Sequence, residues 1–427
     1  MDSERYQRIY DELRAYVGGL TILDTHEHLP AYEVHRDSRD DVLSEYLIHY
    51  FSSDLVSAGL PVKTLEEVRS PGLSVAEKWE KLSPYWQYAR HTGYGRALAL
   101  AAADIYGVDR IDADSIEALN DRFVAARTAG DHYRLVLREK CKIECSILDG
   151  WCEDADSEFF RIATQVAPFV IWENAESIGQ AEQLLRCKIE KFGDYVDAVA
   201  AYLENMLDSR AICLKCALAY QRSLRFDKPD RGAAKAEFKA MVRGGGASVF
   251  RNSTQFQNFM MHQILALANR LGAVVQFHTG LQEGNGNDLT QSDPLLLNNL
   301  FSQYPDVRFD LFHIGYPFVG QTAALAKNFP NVYIDMCWAH IISPHAAVAA
   351  LEEFLDTVPY NKISAFGGDY CFVDGVYGHQ RMARDNVSAA LARKVCAGVF
   401  EPAEAEQIAR RLFHDNPQTL FPFAKFA

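Results

Sequence analysis

Hydrophobic positions along this chain keep two rhythms. Short runs rich in β-branched and aromatic residues recur, and most are followed by segments whose apolar residues return every three or four positions. The first rhythm marks strands and the second amphipathic helices. Eight runs fit strands: "LTILDTH" near 20–26, "CKIECSIL" near 141–148, "APFVIWE" near 167–173, "AICLKCAL" near 211–218, "AVVQFHT" near 273–279, "VRFDLFHI" near 307–314, "NVYIDMC" near 331–337 and "KISAFGGD" near 362–369. Between them, "IGQAEQLLRCKIEKF", "FQNFMMHQILALANRLG", "VGQTAALAKNFP" and "HAAVAALEEFLDTV" carry helical spacing. Strands that alternate with helices build a parallel sheet. Eight such units predict an α/β fold closed into a (β/α)8 TIM barrel, one domain over residues 1–427. A doubly wound open sheet is the alternative, but no Gly-x-Gly-x-x-Gly follows the first strand to support a nucleotide-binding version.

The pattern also locates the surplus length. From Pro30 to Lys140, segments such as "LSEYLIHYF" and "AEKWEKLSPYWQYAR" keep helical spacing and are rich in Tyr, Trp and Leu. They predict a helical insertion, 30–140, growing from the loop after strand one and lying over the barrel mouth. Tyr85, Trp86 and Tyr88 offer it flat walls, and Arg90 and His91 polar anchors. The opening "MDSERYQRIYDELRAYVGGL" is charged and amphipathic, which predicts a surface helix rather than a signal peptide.

Composition narrows the function. Hydrophobic residues make up 48% and charged residues 23%, as in ordinary globular proteins. A formal net charge of −14 leaves no electrostatic footprint for nucleic acid or an anionic membrane. No apolar stretch approaches the roughly 20 residues that span a bilayer. Nine scattered cysteines suit a reducing compartment, so the expected location is cytoplasmic. Cys213 and Cys216 stand three apart on a predicted strand and so face opposite sides, unlike a zinc knuckle or redox pair. The expected partner is a small-molecule substrate; self-association into a homo-oligomer stays open.

The chemistry gathers where barrel active sites form, at the C-terminal ends of strands. His26 and His28 stand one residue apart after strand one and share a face, so both can grip one metal ion. Lys215 lies in strand four, His278 after strand five, His313 after strand six and Asp369 after strand eight. Alternation places Gln276 with His278, Asp369 with Gly367, Ala365 and Ile363, and Cys213 with Lys215 and Ala217. In strand six it turns His313 inward with Leu311 and leaves Asp310 among the covering helices. Each residue alone has a structural explanation; together they form a ligand set. Asp24 shares the parity of His26 and suits an orienting role or a polar layer at the barrel floor.

This constellation resembles the amidohydrolase superfamily. The similarity runs through "LKCALAY", "VVQFHTG", "FHIGYPFVGQTAALAKNFPNVYIDM", "ISAFGGDY" and "HDNPQTLF". It is closest to the amidohydrolase-related branch of uronate isomerases, aromatic-acid decarboxylases and barrel domains fused to glutamine-synthetase-like proteins. The resemblance implies one divalent ion, zinc with manganese as the alternative, bound by His26, His28 and Asp369 with His278 as a further ligand. It makes Asp369 and His313 catalytic, and Lys215 either a carbamylated bridge or a substrate contact. Tyr220, Arg222 and Arg381 would bind substrate, with Arg225 a further candidate carboxylate clamp. Two departures affect substrate recognition: Gln221 separates Tyr220 from Arg222, and Ile314-Gly315 adds a residue after His313. The expected activity is hydrolysis of an amide, lactone or ester. A uronate-type isomerase or aromatic-acid decarboxylase is the alternative, and a non-catalytic binding barrel the third.

Overall fold

The structure is a computed structural model, and it describes residues 3–35, 41–150 and 154–426. Eight parallel strands follow one another in chain order: β1 (Ile22–Glu27), β2 (Ile143–Asp149), β3 (Phe160–Gln165), β4 (Ala211–Cys216), β5 (Val274–Phe277), β6 (Arg308–Leu311), β7 (Val332–Asp335) and β8 (Ile363–Ser364). Backbone bonds close the seam between the last strand and the first. Thr25 N–H donates to Phe366 O (3.1 Å), Asp369 N–H to His26 O (2.8 Å) and His28 N–H to Tyr370 O (3.0 Å). The fold is the expected (β/α)8 barrel.

One strand lies elsewhere than the hydrophobic pattern placed it. β3 is formed by "FRIATQ", and "APFVIWE" supplies instead a short helix, Ala167–Val170, whose first turn holds Pro168. Proline lacks the N–H that a central strand needs but fits a first helical turn. The segment is apolar because it packs under helices: Trp172 meets Tyr195 at 5.0 Å and Phe256 at 4.8 Å.

The inner face of β6 is the reverse of the sequence expectation. Asp310 pairs in register with Gln276 and lies buried inside the barrel, while Phe309 and Leu311 join the apolar layer under the helices. Asp335 of β7 also points inward, and burial pushes its carboxyl up to about 7 and that of Asp310 well above the usual carboxylate range. Asp335 pairs with Ser364, so Ser364 shares the inner face rather than Ile363 and Ala365. The barrel's opposite end is floored by Leu420, Phe421 and Phe423, packed on Leu23, Ile147, Cys213 and Val274. Cys213 and Cys216 are buried and unpaired.

Helix α1 (Ser3–Gly19) precedes the barrel. Between β1 and β2 come α2 (Val42–Tyr46), α3 (Phe51–Ser57), α4 (Val62–Arg69), α5 (Val75–Ala89), α6 (Gly93–Tyr106) and α7 (Ile116–Ala129). Residues 36–40 of the predicted insertion lie outside the described residues. Two glycine contacts join α6 to the barrel's C-terminal half. A Cβ on Gly93 would meet the backbone of Ile341, and one on Gly378, in the long helix Val373–Cys396, would meet the backbone of Ala97.

Replacing Gly378 with Ala should therefore loosen this junction and destabilise the protein by about 1–3 kcal/mol. Gly193→Ala, where an added Cβ meets nothing within 4 Å, serves as the control and should leave stability unchanged or slightly raised. Urea unfolding of both variants checks the difference; equal midpoints would show that the helices are not in obligatory backbone contact.

Candidate metal centre

Three loops and a strand end converge on one buried point. β1 brings His26 and His28, the residue after β5 brings His278, and the turn after β6 brings His313. The turn after β8 brings Asp369. His313 and Asp369 reach the site because both hold left-handed backbone conformations, φ 64° and 58°. Non-glycine residues adopt that region rarely and cluster there at functional sites. Asp369 also needs the two glycines before it. A Cβ on Gly368 would collide with the Glu27 carboxylate, and one on Gly367 with Thr25 Oγ1 at 2.7 Å and Cys337 Sγ at 2.8 Å.

The hydrogen bonds fix which imidazole nitrogens face inward. A carbonyl oxygen can only accept, so the ring nitrogen beside it carries the proton. His28 Nδ1 donates to Asp149 O (3.1 Å), His313 Nδ1 to Cys337 O (2.9 Å) and His278 Nε2 to Leu281 O (2.8 Å). Metal-binding histidines are usually oriented by a donation of this kind. The remaining nitrogens converge. His28 Nε2 stands 3.2 Å and His26 Nε2 3.5 Å from Asp369 Oδ1, and His313 Nε2 stands 4.0 Å from Asp369 Oδ2. His313 Nε2 and His278 Nδ1 face each other at 3.0 Å. Two neutral lone pairs at that distance repel. Two nitrogens on one tetrahedral zinc, with bonds of about 2.0–2.1 Å, lie about 3.3 Å apart. The donor set therefore fits a divalent ion, with His26, His28 and Asp369 as one three-ligand group.

The electrostatics leave most ligands ready. Burial, helped by the nearby Lys215, lowers the His26 pKa to about 4. Burial lowers His313 to about 3 against the opposing pull of Asp369, and takes His278 well below its ordinary value. These rings are neutral at pH 7. Burial acts on His28 in the same sense, but its bond to Asp369 and the charges of Asp149 and Asp369 outweigh it and raise the pKa. Burial would raise Asp369; the bond to His28 and the surrounding histidines instead hold it well below the usual carboxylate range.

Other predicted residues divide between the cluster and its surroundings. Lys215 is inside, its Nζ 3.3 Å from His26 Nε2 and 3.7 Å from the centre of the Phe312 ring. Tyr220 borders the site, its ring 4.7 Å from that of His278. The structure does not bring Arg222 or Arg381 to this cluster. Arg222 is tied to Gln257 and Asn258, and Arg381 pairs with Asp104 at 2.7 Å. Arg225 pairs with Asp227 at 2.9 Å. Asp24 fastens backbones rather than a ring, accepting from His26 N–H and Gly368 N–H, each at 3.1 Å.

Three contributors were not foreseen. Asp149, the last residue of β2, puts Oδ2 3.5 Å from His26 Nε2. Trp338, at φ 61°, sets its ring edge-on to His313 at 5.1 Å. Tyr50, just before α3, places Oη 2.5 Å from both the backbone oxygen and Oδ2 of Asp369. Asp149 had a legible signal, as an acid at a strand's C-terminal end. Tyr50 had none, being one of many aromatics between the first two strands. The aromatics expected at the mouth sit otherwise: Trp86 packs on Phe51 and Trp79, Tyr88 is exposed, and exposed Arg90 and His91 bond each other. The aromatic wall is Tyr50 with Tyr94 and Trp338, ring centres 5.2 and 4.4 Å from Tyr50.

Fold and site together define a (β/α)8-barrel protein whose strand ends present a largely buried set of side chains that could hold a metal ion. The chain belongs to the amidohydrolase family, whose sequence profile matches residues 186–423, more than half of its length. A stretch of 148 residues is 30% identical to Protein fluG of Emericella nidulans, covering 34% of this chain and 17% of that protein. The match thus spans only a small part of that relative. Among solved structures, glucuronate isomerase from Caulobacter crescentus superposes with a TM-score of 0.79 at 18% identity, covering 98% of this chain and 95% of that one. Uronate isomerase from Thermotoga maritima gives a TM-score of 0.81 at 16% identity, covering 97% of each chain. At such identity these likenesses establish the fold. No described helix is long and apolar enough to cross a membrane.

Metal binding should release protons in a defined way. In the metal-free protein His28 carries a proton below its raised pKa, whereas His26 and His313 carry none until pH falls to about 3–4. Loading zinc near pH 6.5 should then release more than half a proton and at most one from His28, since ligands bind deprotonated. Titration calorimetry in buffers of different ionisation enthalpy measures this number. His28→Asn should abolish the release; a release of two or more protons would contradict the neutral state of the other rings.

Proposed function

We propose that this protein is a metal-dependent hydrolase that cleaves an amide, lactone or ester of a small carboxylate-bearing molecule. One observation carries the reading, the position of Asp369. Its Oδ1 faces the inward nitrogens of His26 and His28, and its Oδ2 lies against the Tyr50 hydroxyl. A divalent ion held there would supply Lewis acidity and lower the pKa of a water from about 15.7 towards about 7. Asp369, kept ionised, accepts the proton of the attacking water at Oδ1 and returns it to the leaving group. Tyr50 stays protonated, because burial and the Asp369 charge raise its pKa well above 10. Its single proton restrains Asp369 and remains available to an oxygen of the substrate. His313 lies on the Oδ2 side with Nδ1 bonded to Cys337 O and Nε2 unprotonated, so it would serve as a further ligand. The Tyr50 proton is the one placed to polarise the carbonyl. The wall of Tyr50, Tyr94 and Trp338 keeps bulk water from these groups, which strengthens each interaction. In this reading the helices between β1 and β2 act as a cap, and they contribute Tyr50 and Tyr94.

A second reading, isomerisation of a uronate, is favoured by the superposition on two uronate isomerases over nearly the whole of each chain. Asp369 and Tyr50 would then shuttle a proton between adjacent carbons. Turnover assayed on amides, lactones, uronates and hydroxybenzoates separates the readings. Hydrolysis of an amide or lactone is expected, and turnover of uronates alone would replace the first reading with the second.

Protein purified without added metal should contain close to one equivalent of zinc or manganese, and two ions bridged by a carbamylated Lys215 would overturn that stoichiometry. Tyr50→Phe should keep its metal and lose about 10–100-fold in kcat, the range of a lost donor to a charged group. Asp369→Asn should lose most of its metal and its activity. Unchanged kcat in Tyr50→Phe would remove the phenol from the chemistry.

A further inference from the structure

A cavity of 620 Å³ opens beside the metal centre. Tyr220 belongs to both places: it lines the cavity and its ring lies 4.7 Å from that of His278. Trp172 and Phe250 give the cavity apolar walls, and Arg222, Arg225 and Arg251 bring positive charge. Its carboxylates, Glu173 and Asp227, are exposed, and Asp227 is occupied by Arg225.

Arg222 is the unusual member. Its guanidinium lies 4.4 Å from the centre of the Phe226 ring and is held in one orientation by four acceptors. Nε donates to Ser223 O (2.9 Å), Nη1 to Gln257 Oε1 (2.9 Å), and Nη2 to Arg225 O (2.7 Å) and Asn258 Oδ1 (2.9 Å). All four are neutral oxygens. Among the described residues no carboxylate lies within ion-pair distance of Arg222 or of the exposed Arg251. Burial lowers the Arg222 pKa to about 10, so the group stays charged at neutral pH. The only carboxylate whose charge reaches Arg222 among the described residues is Asp227, which lies beyond ion-pair distance and is itself paired with Arg225. A cation half withdrawn from water is thus weakly compensated, and an anion that enters the cavity relieves it. Four of the five N–H groups of Arg222 are already used, so one Nη1 hydrogen is left to point at an anion. The exposed Arg251 can offer a planar fork of donors to a carboxylate.

We propose that this cavity is an organic-carboxylate site that receives the charged end of the substrate, with Arg222 and Arg251 as its anion receptor. Trp172, Phe250 and Tyr220 hold the apolar spacer that links this end to the bond under attack at the ion. The substrate assignment rests on the hydrolase reading; the affinity for carboxylates does not. Gln221, the residue that displaces Arg222 one step from Tyr220, thus sets the distance between the anchored charge and the reacting bond.

The test uses the metal-loaded full chain, with benzoate as probe and benzamide as its uncharged counterpart. Calorimetry should show benzoate binding about tenfold or more tighter than benzamide. Arg251→Gln and Arg222→Gln should each weaken benzoate by about the same factor while metal content stays constant. Arg251 is exposed and its side chain makes no hydrogen bond or ion pair among the described residues, so its variant decides the matter if Arg222→Gln fails to fold. Benzoate binding that ignores Arg251→Gln, or equal binding of benzamide, overturns the site. Succinanilic acid, a carboxylate-bearing anilide, then tests the substrate assignment. Benzoate should raise its KM and spare kcat, whereas inhibition of kcat alone would mark a separate effector and overturn that assignment. Benzoate binding intact with no amide or lactone cleaved would defeat the hydrolase reading and leave the carboxylate site standing.

Discussion

The seam between β8 and β1 is the constraint on which the site depends. Most barrel strands here are joined by ladders, but the last pair meets through a few backbone bonds, two of which involve the candidate ligands His26, His28 and Asp369. Asp369 N–H donates to His26 O, and Asp24 clamps His26 N–H and Gly368 N–H with one carboxylate oxygen. Closing the barrel and aligning the ligands are one event. The glycine pair before Asp369 is part of the same closure, since any side chain there would strike Glu27 or Cys337.

Burial sets the chemistry in this cluster. It keeps three imidazoles neutral and would keep Asp369 neutral too, were it not facing His28. Below the cluster, burial works on Asp24, Asp310 and Asp335 with less opposition, and their carboxyls are raised. The barrel therefore stacks an ionised carboxylate above a layer of acids that hold their protons more tightly. Among these four carboxyls only that of Asp369 is lowered, which is why the proposed reaction gives it the role of base.

Much of this was legible in the chain. Seven strands lie where the hydrophobic runs placed them, because strands covered on both faces are read from their apolar runs. The third strand escaped because two apolar runs stand close together, and the one containing Pro168 looked the stronger. Alternation put Gln276 and Lys215 on the inner face correctly. It failed for His313 and Asp369, which lie beyond the last paired residue, where left-handed backbone angles replace the two-residue period. Tyr50 was invisible for a different reason. Its role comes from a contact across 319 residues of sequence, and nothing local distinguishes it from the aromatics that merely fill the helical layer.

That same separation has a consequence for the protein's birth. His26 and His28 leave the ribosome more than 300 residues before Asp369. A nascent chain can offer a paired-histidine site to any passing ion, but the carboxylate and the closed seam come late. Stable capture of the proposed ion would therefore wait for Asp369 to be made and the seam to close, and would depend on the metal available at that point. The order of synthesis, as much as the ligand set, would decide which ion the finished protein carries.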